Sequence, residues 1–280
     1  GNLHHRMGNL DKAVRNFKKI VALNPEYSKS HPNKILLVIY YFSKGQIDSA
    51  LETIKMLVKT NAGDALLFNM MGGCYLSLRQ FENAIQSYEK ALEIKPDYAE
   101  AFNNLGIVLK ELGQLDEAVK SFEKALAIKP DYAEVHYNLG VTLHDLGQLD
   151  AAVKSYEQAL AIKPDYADAH NNLGKPLKKL GQLDAALKSY EQAVAIKPDY
   201  AEAYHNHGNV LLGLKRMDEA LASYESAISL DPDLVFILGD YLHTKMHLCL
   251  WDDLANRLNE LANKVNNGEK AVNPFPLLAL

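Results

Sequence analysis

Apolar positions along this chain follow a helical rhythm that resets every thirty-four residues. The unit is clearest from Ala99 to Tyr132. Phe102, Leu105, Gly106 and Leu109 fall at i, i+3, i+4 and i+7, which is one face of a helix, and Gly106 lets a neighbouring helix approach closely. Gly113 ends that helix. Asp116 is placed to cap a second one, whose apolar face runs Ala118, Val119, Phe122, Ala125, Leu126 until Pro130 stops it. Asp131 with Glu134 then reads as a capping box for the next unit, as do Asp97/Glu100, Asp165/Asp168 and Asp199/Glu202. Pro96, Pro130, Pro164, Pro198 and Pro232 mark the period, and so do Gly72, Gly106, Gly140, Gly174 and Gly208. The pattern predicts an all-α array of antiparallel helix pairs.

The Leu-Gly of the first helix, Ala118 and Phe122 of the second, the later Ala125 and the closing Pro130 resemble the tetratricopeptide repeat, over nearly the whole chain. That resemblance implies a right-handed superhelix, an α-solenoid whose first helices line a concave groove and whose second helices form the outer wall. Such an array has no single centre, because each unit packs only on its neighbours.

The boundaries follow from the phase. Residues 1–30 form a truncated repeat, with Gly8 at the turn, Ala13, Phe17 and Ile20 on the second-helix face and Pro25 as the stop. Gly1 occupies the slot of Gly106, so the sequence opens inside a helix and reads as a fragment. The exposed face this leaves makes self-association, a homodimer for example, an expectation. Six repeats cover 31–234, the first of them degenerate, with Gly45, Ala50, Ile54 and Leu57 in phase and Ala62 where a proline is expected. Pro176 falls inside a first helix. There it removes the donor to the Asn172 carbonyl, which predicts either a hinge or a distortion absorbed by the neighbours. Residues 235–265 form a degenerate repeat, read as helices over 235–248 and 251–265, and 266–280 a linker ending in Pro274-Phe275-Pro276-Leu277-Leu278-Ala279-Leu280.

Charge narrows the partners. Net charge is −5 with acids and bases interspersed, so no basic stripe points to nucleic acid or anionic lipid. The longest apolar run, Ile35 to Phe42, falls far short of the roughly 20 residues a membrane span needs. Cys74 and Cys249 stand far apart in helical contexts, which implies no disulfide framework and fits a reducing, cytoplasmic compartment.

No catalytic constellation, phosphate loop or zinc-type cysteine spacing is present, so neither cofactor nor metal is expected. His243 and His247 at i, i+4, with Cys249 nearby, are read as packing or surface residues before metal ligands. His136 and His170 take the slot of Phe102 and Tyr204 and are read as helix packing. One polar feature does recur. Asn104, Asn138, Asn172 and Asn206 precede the Leu-Gly slot in four consecutive first helices, Asp240 continues the row, and Leu36 and Met70 take the slot earlier. A carboxamide both donates and accepts, so such a row can bond a peptide backbone whatever its side chains. First helices about 8–10 Å apart would present an amide to about every third residue of an extended strand. The alternative is that each Asn simply bonds an adjacent helix. The acidic Glu100, Glu134, Asp168 and Glu202 beside the row disfavour a carboxylate guest.

The segment from Gly239 to Trp251 and the ending from Asn273 to Leu280 resemble the junction in O-GlcNAc transferase and SPINDLY-type proteins, closely at Lys245, Cys249, Trp251 and the final apolar run. It departs at Leu250, where that family usually carries Asp. The resemblance implies that Asn104, Asn138, Asn172 and Asn206 hold the backbone of polypeptide substrates and feed a downstream catalytic domain beyond Leu280. This chain alone is then not an enzyme, although its parent would be an N-acetylglucosaminyl-type glycosyltransferase. The competing expectation is a non-enzymatic scaffold or assembly adaptor.

Overall fold

The computed structural model describes residues 31–268 apart from Val235 and Asp253. The truncated repeat over 1–30 and the apolar ending therefore lie outside the described residues. Two compact units, Gly1–Pro130 and Asp131–Leu280, divide the chain. In the first, α1 (His31–Ser43), α3 (Ala65–Ser77) and α5 (Ala99–Glu111) are first helices, each paired with the second helix that follows it: α2 (Ile47–Thr60), α4 (Phe81–Ile94) and α6 (Leu115–Ile128). In the second, α7 (Ala133–Asp145), α9 (Ala167–Lys179), α11 (Ala201–Gly213) and α13 (Ile237–His247) pair with α8 (Leu149–Ile162), α10 (Leu183–Ile196), α12 (Met217–Leu230) and α14 (Leu254–Asn266). Within each unit every second helix also packs on the next first helix. The described residues are thus all-α, a solenoid of stacked helix pairs.

The pairing rests on a glycine set against a ring. A Cβ added at Gly106 would lie 2.6 Å from Phe122, and one at Gly72, Gly140 or Gly208 would lie 2.5, 2.8 or 2.6 Å from Tyr88, Tyr156 or Tyr224. Those rings are essentially buried. Alanines flank each one. Ala84, Ala118, Ala152, Ala186 and Ala220 one turn before, and Ala91, Ala125, Ala159, Ala193 and Ala227 after, have no exposed surface. Small residues on both helices let the axes close up until the ring fills the remaining space.

The turns correct two expectations. Leu112 is the C-cap of the first helix, Gly113 takes a left-handed φ of 75°, and its N–H donates to the Lys110 carbonyl while the Gln114 N–H donates to that of Leu109. This is a Schellman closure, and it leaves Gln114 as the N-cap of α6. Asp116 is therefore not a cap; it sits in the first turn, where its charge faces the positive end of the helix. Arg79, Lys215 and Cys249 occupy the same left-handed slot without being glycine. The capping boxes also fail. Tyr98, Tyr166 and Tyr200 are the N-caps, with no side-chain cap bond, so the preceding Asp lies one residue too early. Each tyrosine ring instead lies under the lysine that closes the previous helix: Lys95 at 4.8 Å, Lys163 and Lys197 at 4.4 Å. Asp64, where the Lys-Pro-Asp-Tyr turn is missing, does cap its helix, accepting from the Leu66 N–H at 2.9 Å.

Pro176 is absorbed without a break. Helix α9 runs through it, the side chain is buried, and its carbonyl accepts from Leu180 at 2.9 Å. The degenerate repeat starts later than its pattern suggests, because Phe236 adopts a left-handed φ of 67° and α13 begins at Ile237. Leu242, buried, stands where the repeats from Ala65 to Leu234 carry glycine, as Val38 does in the repeat over 31–64.

One seam position is polar. His207 takes the slot of Leu105, Leu139 and Leu173, and its Nδ1 lies 2.9 Å from Ser223 Oγ. That hydroxyl already donates to the Glu219 carbonyl, so it accepts from the imidazole, and Nε2 is left buried without a hydrogen bond, 4.0 Å from a Glu191 carboxylate oxygen. Burial holds the imidazole below its usual value against the pull of Glu191, with Arg216 adding to the effect and Glu219 opposing it. The unfolded chain then binds more protons than the folded one below about pH 6.5, and stability falls as pH drops through the folded value. His207→Leu should flatten this acid limb in denaturation midpoints measured from pH 7.5 to 5, with a residual slope from His144 and His243, which burial also lowers. Gly106→Ala should cost about 1–3 kcal/mol by overpacking, more than the roughly 1 kcal/mol that helix propensity returns. In urea denaturation the double variant with Phe122→Leu should cost less than the sum of the two single changes.

Candidate functional site

The first helices meet along an inner seam, α3 with α5 in the first unit and α7 with α9 with α11 in the second. Every recurring polar residue whose side-chain bond is resolved reaches back across that seam to the residue one slot earlier in the preceding repeat. Asn104 Nδ2 donates to Asn69 Oδ1 at 3.1 Å, Asn172 Nδ2 to the Tyr137 hydroxyl at 2.8 Å, and Asn206 Nδ2 to Asn171 Oδ1 at 3.0 Å. Asp240 pairs with His205 Nε2 at 2.8 Å, both side chains about one-tenth exposed. Asn138 is half-buried on α7, and its backbone carbonyl accepts from Thr142 Oγ1.

The slot before the Asn row was not singled out from the sequence, and it is the hub. Asn171 is fully buried; besides accepting from Asn206 it donates to the Tyr200 hydroxyl at 3.3 Å and lies within 3.5 Å of Asn172 Oδ1. Asn103, 2% exposed, similarly lies 3.4 Å from Asn104 Oδ1. The signal was available: Asn69, Asn103, Tyr137, Asn171 and His205 recur thirty-four apart, each able to bond.

A carboxamide has two N–H groups and two lone pairs. The seam takes one N–H of Asn104 and Asn172 and, at long range, one lone pair of each. All four Asn side chains stay half-buried rather than enclosed. The arrangement fixes the amide plane and leaves bonding capacity over. Charge beside the row is managed locally. Burial pushes the Glu202 carboxyl up, but the Lys175 ammonium at 2.8 Å, with help from Asn171 and Asn206, carries it below the usual value.

The remaining candidates resolve as follows. His243 and His247 on α13 bring their Nε2 atoms to 3.1 Å with rings edge-on. Among the described residues no group of three or more His, Cys, Asp or Glu is placed to hold a metal ion. His170 Nε2 meets the Pro164 carbonyl at 3.0 Å, a contact with the preceding turn. No described helix is long and apolar enough to cross a membrane. Trp251 and Leu250 are exposed after α13, where Lys245 Nζ donates to the Asp252 carbonyl at 2.7 Å.

Family models described as tetratricopeptide repeat match residues 62–131, 97–165, 1–27 and 201–234, and one described as TPR repeat matches 177–215. Together they span more than half of the sequence. The chain belongs to the tetratricopeptide repeat family. Among solved structures this tetratricopeptide array is similar to YrrB, described as a TPR protein with an unusual peptide-binding site, at 27% identity and TM-score 0.57, covering 66% of this chain and 95% of that one. MamA aligns at 28% identity and TM-score 0.55, over 58% of this chain and 95% of its own. PilF of Pseudomonas aeruginosa, at 20% identity and TM-score 0.64 over 71% and 90%, shares the fold. No curated protein sequence matches the array. A tetratricopeptide fold is suited to protein–protein interaction.

Because Asn171 serves two neighbours from a buried position, Asn171→Ala should cost about 1–3 kcal/mol in chemical denaturation by stranding the Tyr200 hydroxyl and the Asn206 amide. Asn206→Ala, half-exposed, should cost less.

Proposed function

We propose that this array binds extended polypeptide along its first-helix face, through Asn104 in the first unit and Asn138, Asn172 and Asn206 in the second. Asp240 marks the C-terminal end of the row. The observation that carries the reading is the fixed but half-exposed carboxamide. A bond across the seam removes much of the rotamer freedom that binding would otherwise have to freeze, while a spare donor and acceptor stay available to a peptide backbone. The likeness to YrrB, itself described as having a peptide-binding site, supports the same use of the fold.

The setting we propose is the substrate-recruiting arm of a protein O-glycosyltransferase in the cytoplasm. It rests on the residues from Gly239 to Trp251 and on the apolar ending, through their resemblance to O-GlcNAc transferase. A scaffold or assembly adaptor, self-associating as a homodimer in one form, is the second reading. The alignments with YrrB and MamA, which cover 95% of each of those chains, are compatible with either reading. Two nucleotide-sugar-type α/β domains encoded after Leu280 would decide for the first; an unrelated domain there would decide for the second.

Peptide binding is tested by changing Asn104, Asn138, Asn172 and Asn206 together to Ala and titrating a fluorescein-labelled, unstructured Ser/Thr-rich peptide. At about 0.5 kcal/mol or more for each bond lost, affinity should fall at least tenfold. Equal affinity in a folded variant removes the row from the account.

A further inference from the structure

The first unit contains a hole that its helix packing does not require. Of the adjacent glycines on α3, Gly72 is demanded by Tyr88, but a Cβ on Gly73 would meet nothing closer than the Tyr88 hydroxyl at 3.9 Å. Sister repeats fill that slot with Ile107, Val141, Lys175 and Asn209. A glycine inside a helix is disfavoured by about 1 kcal/mol relative to alanine, so α3 gives up stability here without a packing reason. What results is a cavity of about 310 Å³ among α1, α3 and α5. Val38 and Cys74 form its buried floor, Ile39 and Phe42 are about two-fifths exposed at its edge, and the bonded amides of Asn69 and Asn104 stand beside it.

Among the described residues no charged side chain lines this socket. Burial pushes the Cys74 thiol up to about 11, so the floor stays neutral at physiological pH. A charged group placed there would lose water and find no counter-charge. The volume is at the low end of ligand sites, enough for one large side chain rather than a cofactor. The two amides that stand over it are of the kind that bond a backbone.

We propose that this socket takes one large apolar side chain, Leu, Met or Phe, of an extended polypeptide whose backbone is bonded by Asn69 and Asn104. The inference rests on the peptide-binding reading above and gives it a sequence preference: the amides hold any strand, and the Gly73 hole selects a position along it.

The test uses amide chemical shifts of the isotope-labelled chain with three blocked probes, acetyl-Ser-Gly-X-Gly-Ser-amide with X = Leu, Asp or Gly. The Leu probe should shift resonances within 38–43 and 69–74 and at Asn104, and bind at least fivefold more tightly than the Asp or Gly probe. Gly73→Val should abolish that preference while melting no lower than the parent, because the helix gains a side chain in open space. Equal affinity for Leu and Asp probes, or an unchanged preference in Gly73→Val, overturns the socket. The Gly probe separates the two ideas: if it shifts Asn138, Asn172 and Asn206 while the Leu preference is missing, the amide row stands and the socket alone fails. Self-association in sedimentation that Gly73→Val removes would assign the hole to a second copy and also overturn the proposal.

Discussion

The contact between a first-helix glycine and the aromatic ring of its own second helix sets the rest of the geometry. With no side chain at Gly106 and alanines on either side of Phe122, two helices approach until the ring rests on backbone. That closeness fixes where each first helix presents its other face, and therefore where Asn104 and its counterparts come to lie. A larger residue at the glycine would move the whole first helix, because a packed core has nowhere to send the added volume.

The inner seam uses different physics. Between consecutive first helices the contacts are amide to amide, amide to phenol and imidazole to carboxylate. Such bonds are modest in net energy but directional, so they fix register where the alanine-rich interface supplies attraction. The division of labour explains how one residue type can hold the stack without being enclosed by it: the resolved bonds of Asn104 and Asn172 use about half of their bonding capacity, and the side chains stay half-buried.

The sequence made the array legible because the period, the glycine slots and the prolines agree, and each maps onto a helix pair. It also showed which face carries the Asn row. It did not show the caps. Asp116 and Asp97 looked like caps by residue type, yet a Schellman turn and a tyrosine held under a lysine had already set the helix starts. Nor did it show the hub, because Asn69, Asn103, Tyr137, Asn171 and His205 vary in type; what recurs is the capacity to bond, which letters conceal. The repeat pattern separates the recurring Gly72 from the isolated Gly73, but it took the position of the Tyr88 ring to show that the first is required and the second spare.

The pairing of His205 with Asp240 has a consequence for how such a chain can grow. Arrays lengthen by duplication of a unit, and middle units tolerate copying because Asn meets Asn or Tyr on either side of the new joint. A copy of the repeat holding Asp240 inserted after Asn171 would set a carboxylate against the Asn171 oxygen that now accepts from Asn206, so that amide would have to turn over to donate. A copy of the repeat holding His205, followed by an Asn, would lose its acid. Unequal crossing-over can therefore expand the run of Asn-bearing repeats more readily than the His205–Asp240 joint, which is keyed to one neighbour.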